Sequence, residues 1–82
     1  MSIGAARTPG PLSRAVARLL REEIEDQGLS QTAVAAMIGR SQSLVSTLMD
    51  GSTGATLEEL HALCRALGLG VIEVMADAIA TL

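Results

Sequence analysis

The stretch Leu29–Gly51, LSQTAVAAMIGRSQSLVSTLMDG, holds two short segments of helical apolar spacing that meet at Gly39. Ser30 stands where a helix N-cap accepts a hydrogen bond from the first turn, and QTAVAAMI follows it up to the glycine. Gly39 suits the left-handed conformation that ends a helix. Beyond it, Ser41 is a second cap, and QSLVSTLMD runs on to another stop at Gly51. Leu29, Val34, Ala35, Ile38, Val45 and Leu48 fall on faces that join one core, and Ala35 is small where two helices must approach closely. The remaining positions of the second segment are polar. Serine and threonine are mediocre helix formers, so helix stability does not explain their concentration there.

Working outward, residues 1–10 have Gly4, Pro9 and Gly10 and no periodicity, which reads as a flexible N-terminal arm. A first helix is expected from Pro11 or Ser13 to Gly28, with Leu12, Val16, Leu19, Leu20 and Ile24 on one side and Arg14, Arg18 and Arg21 on another. After the loop GSTGA, Thr56 and Glu59 form a capping box, and Leu57, Leu60, Leu63, Cys64 and Leu67 make an apolar side. Gly68 and Gly70 bracket a turn. In the last segment, VIEVMADAIATL, the 3-4-3 spacing of Ile72, Met75, Ile79 and Leu82 forms a helical seam, whereas its β-branched start, VIEV, also suits a short strand. The expected fold is therefore all-α with five helices, and two short helices around a glycine turn are the frame of a helix-turn-helix.

Length and composition bound the function. Eighty-two residues make one domain, and 49% hydrophobic content makes it a globular one. Phe, Tyr and Trp are absent, so the core rests on aliphatic side chains that each stabilise by roughly 1.5–3 kcal/mol when fully buried. A core that light favours association with a second copy. No apolar run approaches the ~18 residues of a membrane span, the start lacks a secretory h-region, and the lone Cys64 excludes an internal disulfide. A cytoplasmic protein is expected.

Net charge is −3, but its distribution is uneven. Residues 1–21 carry four arginines and no acid, while residues 22–26 carry four acids. Such a molecule can still approach a polyanion with its basic end. Catalysis is not expected: His61 and Cys64 lie three apart, but the apolar phase places Cys64 in the core as a small hydrophobe. Two candidate ligands do not make a zinc site, and neither metal nor cofactor is expected.

The string GLSQTAVAAMIGRSQSLVSTLMDG, residues 28–51, followed by TLEELHALCRALGL, resembles the Cro/repressor-type helix-turn-helix regulators of the XRE family. The resemblance covers about residues 12–76 and rests on the Gly-Leu-Ser-Gln opening, the Ala35–Gly39 spacing, the Ser-Gln after the turn and the Leu-Gly ending. It implies a lambda-repressor-like five-helix bundle, residues 11–82, whose third helix enters the DNA major groove N-terminus first. By position, Gln42 stands where such repressors read a base, with Ser43 and Thr47 as the other groove-facing residues. A glutamine amide both donates and accepts, which suits adenine N6 and N7. Gln31 matches a phosphate-contacting glutamine at a helix N-terminus, and Ser41 and Ser46 are expected to contact phosphates beside it. Three departures stand out. Arg40 follows the turn glycine where an apolar residue is common in relatives, and is expected to point to a phosphate instead. Where many relatives pair a buried Arg with a Glu, this chain has Ile24 and Met49, a coherent apolar replacement. The loop GSTGA is neutral where relatives carry Lys or Arg, which limits phosphate contacts.

Arg14 and Arg18, with Arg21, either reach phosphates or form a solvated face paired with Glu22 and Glu25. Arg7 either enters a minor groove or lies in a disordered arm. Ile72, Met75, Ile79 and Leu82, in a segment at about 71–82, are expected to form a dimer contact, the alternative being completion of the monomer core. The resulting expectation is a homodimeric regulator on a near-palindromic double-stranded operator, of phage-repressor or Cro-like type, with no small-molecule ligand. An antitoxin, or an interaction module that keeps the fold without reading DNA, are the alternatives.

Overall fold

A computed structural model describes residues 9–82 of the chain. Most of the expected arm, Arg7 included, lies outside the described residues. Five helices follow in order: α1 Pro11–Asp26, α2 Gln31–Ile38, α3 Gln42–Met49, α4 Leu57–Leu67 and α5 Val71–Ala80.

Each helix end has a local cause. Pro11 opens α1 at a position whose N–H has no intrahelical partner in any case. The helix ends where Gly28 turns left-handed (φ 69°) and the Leu29 N–H returns to the Ile24 carbonyl at 3.0 Å. Ser30 Oγ accepts from the Ala33 N–H at 3.0 Å, and Ser41 Oγ accepts from the Leu44 N–H at 3.1 Å. Between them Gly39 (φ 68°) ends α2, and the Arg40 N–H bonds the Ala35 carbonyl at 3.0 Å. Thr56 and Glu59 form the reciprocal capping box of α4.

The buried faces meet in one core. From α1 come Val16, Leu20 and Ile24, one turn apart each; from α2 Val34 and Ala35; from α3 Val45, Leu48 and Met49; from α4 Leu60, Leu63, Cys64 and Leu67; from α5 Val74 and Ala78. No charged or polar residue is buried among the described residues. Ile24 and Met49 both lie inside this core, so the apolar replacement of an ion pair is fully enclosed.

One alternative closes and one expectation changes. Residues 71–74 are helical, as the five-helix fold expects, and the strand alternative falls. No second strand exists among the described residues to pair with VIEV, and helix α5 satisfies its own backbone while laying Val74 and Ala78 against the core. Leu57, placed on the apolar side of α4, is 80% exposed. As the first residue of the helix, with side chains leaning toward the N-terminus, it overhangs the end of the stripe. There it rims an open apolar cleft of about 140 Å³ together with Leu12 and Met75.

A Cβ at Gly39 would meet no atom within 4 Å, so its cost is purely conformational. Gly39→Ala is expected to lower the unfolding free energy by about 1–2 kcal/mol, the penalty of a left-handed L-residue, in urea titrations followed by far-UV circular dichroism.

Candidate nucleic-acid interface

Helix α3 divides cleanly. Val45, Leu48 and Met49 face inward, and Gln42, Ser43 and Thr47 are exposed, with Ser46 half-buried beside them. Gln42 and Ser43 open the helix, where backbone N–H groups lack intrahelical partners and the dipole is positive. Ser46 and Thr47 follow one turn later on the same outward side. Thr47 Oγ1 donates to the Leu44 carbonyl at 2.9 Å, leaving the oxygen's lone pairs as acceptors. Ser41 is exposed, and its hydroxyl oxygen is engaged as the cap of α3.

Gln31 is half-buried at the first position of α2. Arg40, in the turn, is half-exposed and reaches toward the Glu59 carboxylate at 3.7 Å. Glu59 meanwhile accepts from the Thr56 N–H at 2.9 Å. The ion pair therefore ties the α2–α3 turn to the first turn of α4. It is the only ion pair among the described residues.

The arginines of α1 lie at the other end of α3. Arg14, Arg18 and Arg21 line a groove with Met49, Asp50, Gly51, Thr81 and Leu82. That places them about 10 Å along the helix axis from Gln42. Arg14 donates to the Pro9 carbonyl at 2.6 Å, and Arg21 donates to the Met49 carbonyl at 2.8 Å. None of the three pairs with Glu22 or Glu25 within 4.0 Å. Asp50 closes the same end of α3, and hydrogen bonds from the Ser52 hydroxyl and backbone N–H hold its carboxyl below the ordinary carboxylate value.

On α5, Ile72, Ile79 and Leu82 are 80%, 55% and 65% exposed. Met75 is half-buried and packs against the core. His61 and Cys64 are not brought together: His61 is exposed, and Cys64 is enclosed with its thiol pushed up by burial. Three ties had no reading in the sequence: Arg40 with Glu59, Arg21 with the Met49 carbonyl, and Gln27 with the Leu67 carbonyl at 2.7 Å. No helix of the described residues is long and apolar enough to cross a membrane.

An eight-residue helix with an exposed polar face, seated on a second short helix, defines the DNA-binding helix-turn-helix class of protein. A family model described as a helix-turn-helix domain matches residues 15–78, and the chain belongs to that family, in its XRE-type branch. It is thereby a sequence-specific DNA-binding transcription regulator and not an enzyme. No curated protein matches the sequence. Among solved structures, the chain is similar to the clp gene regulator ClgR from Corynebacterium glutamicum, with 28% identity over 87% of this chain and 92% of that one and a TM-score of 0.78. The restriction-modification controller protein C.AhdI from Aeromonas hydrophila is 27% identical over 76% of this chain and 94% of its own, with a TM-score of 0.71. The hypothetical transcription factor NHTF from Neisseria, 22% identical over 87% of this chain and 82% of its own, shares the fold at a TM-score of 0.73.

Glu59→Gln keeps an acceptor for the Thr56 N–H but removes the charge that holds Arg40. Stability is expected to fall by about 1 kcal/mol, since the Glu59 side chain is only 11% exposed and its charge also faces the positive end of α4. DNA affinity is expected to rise, and the slope of log affinity against log salt to steepen by about one, as a released arginine gains a phosphate.

Proposed function

We propose that the protein represses transcription as a cytoplasmic homodimer that occupies a near-palindromic operator, without cofactor or small-molecule ligand. Gln42, Ser43 and Thr47 read base edges, while Gln31, Arg40, Ser41, Ser46, Arg14 and Arg18 contact phosphates. The observation that carries this reading is the outward face of α3, where Gln42 stands exposed at the positive helix end. Its amide offers a donor and an acceptor together, the pattern adenine presents in the major groove. Dimerisation through α5 is supported by Ile72, Ile79 and Leu82, which a monomer leaves in water at a cost of roughly 25 cal/mol per Å² of apolar surface. Two copies related by a two-fold axis through that contact would set half-sites about 34 Å apart.

Selection of bound duplexes from a random-sequence pool at near-physiological salt tests the operator and the base-reading residues. The wild-type chain is expected to enrich a two-fold symmetric site, and Gln42→Ala to relax one base position by about 1–3 kcal/mol. Failure of a folded, monodisperse sample to enrich any duplex would sink the DNA-reading proposal.

Ile79→Asp is expected to weaken self-association by about 100-fold or more, since each copy loses a buried isoleucine. Sedimentation equilibrium with interference optics measures this, because the chain has no Phe, Tyr or Trp to absorb light. Retention of the wild-type association would move the interface away from α5.

A further inference from the structure

We infer that Arg21 is a positioning residue for DNA reading: from α1 it fixes the tilt of α3, acting through that helix and not on the DNA. The inference rests on the reading of α3 as the groove-entering helix.

The last carbonyls of a helix lack partners and form its negative end. In α3 the Ser46 carbonyl accepts from the Asp50 N–H, and the Thr47 carbonyl accepts from the Ser52 N–H. The Met49 carbonyl accepts from Arg21 Nη1 at 2.8 Å, a part-buried bond spanning 28 residues of sequence. α3 has no cation of its own in its last turn, and its C-cap is Asp50, an acid at the negative end. Ser52 occupies that carboxylate with two donors. Arg21 thus supplies, from another helix, the positive charge α3 lacks.

The rest of the α1–α3 contact is apolar, with Leu20 and Ile24 in the same buried cluster as Leu48 and Met49. Apolar packing selects a preferred crossing angle but leaves a scatter of roughly 15–20° about it. A hydrogen bond has a required distance and direction, and a charged donor makes it stronger. Arg14 shares the face of Arg21 but donates to Pro9, so it does not duplicate this tie. α3 is two turns long, about 12 Å, so a tilt at the Met49 end displaces Gln42 at the other.

The test uses the full chain with Arg21→Met, which keeps the aliphatic stem, and Arg21→Lys, which keeps a charge. The probes are the duplex enriched by the wild-type chain, its single-base-pair variants and a scrambled duplex. Folded Arg21→Met is expected to lose about tenfold of its discrimination among these duplexes, the worth of one well-placed base contact, with scrambled-duplex affinity unchanged. Arg21→Lys is expected to restore most of it. If Arg21→Met does not fold, Arg21→Gln decides by the same ratio, keeping a donor but not the charge. Wild-type discrimination in the folded variant overturns the inference. So does an equal loss on every duplex with a shallower salt slope, which makes Arg21 a phosphate contact. A wild-type chain that enriches no duplex fails the underlying reading before any variant is made, and the role of Arg21 falls with it.

Discussion

Helices α2 and α3 are eight residues each, well short of the roughly 12–15 that persist alone in water, so both exist only because they are packed. The wedge that packs them is small: Val34 and Val45 at 0% exposure and Ala35 at 4%. Everything α3 does depends on that contact. With no Phe, Tyr or Trp in the chain, the surrounding core is aliphatic and correspondingly light. Orientation is then carried by directional bonds at the margins. Ser30, Ser41 and Thr56 cap their helices, Gln27 holds the Leu67 carbonyl at the end of α4, and Arg21 holds the end of α3. A helix cap contributes about 1 kcal/mol, comparable to one buried methylene, so in a domain of this size such bonds weigh heavily.

The acidic net charge does not decide against DNA, because charge is sorted by position. The acids of α1, Glu22, Glu23, Glu25 and Asp26, sit in its second half, whereas its arginines precede them. The outward residues of α3 are neutral, so its groove-facing side offers hydrogen bonds and the helix dipole without a repelling carboxylate. The described residues form no dense cationic rim. Arg40 is partly engaged by Glu59 and Arg14 by Pro9. An interface of this kind gains little from counterion release and must draw its selectivity from base contacts.

The parts of the fold governed by neighbouring residues were legible in the sequence. Gly28, Gly39 and Gly68 end helices because a left-handed residue closes the last turn, and the serine and threonine caps act over three residues. Even the division of α3 into two faces follows from 3.6-residue spacing. What sequence could not give was set by distant partners. Leu57 kept the phase of the α4 stripe yet overhangs its end, and of the two forms open to VIEV the helix stands because no strand among the described residues is there to pair with it. Arg21 lies on a face shared with Arg14 and Arg18, and nothing local distinguishes the one that reaches Met49.

Helix α1 connects the two surfaces that the proposed function needs. It is 16 residues, about 24 Å, and packs against α5 as well as α3. The α5 contact uses Val74 and Ala78 on the inner side, leaving Ile72 and Ile79 on the outer side for a second copy. The groove holding Arg14, Arg18 and Arg21 is closed at one side by Thr81 and Leu82, so the arginine that grips α3 lies beside the chain leaving α5. In the proposed dimer, α5 on α1 and α1 on α3 are two of the joints that relate the reading helices, beside the α2–α3 wedge. The first is apolar and broad; the second adds one charged hydrogen bond to a smaller apolar contact. Half-site spacing would then be governed at α5, and the fine alignment of Gln42 within each half-site at Met49.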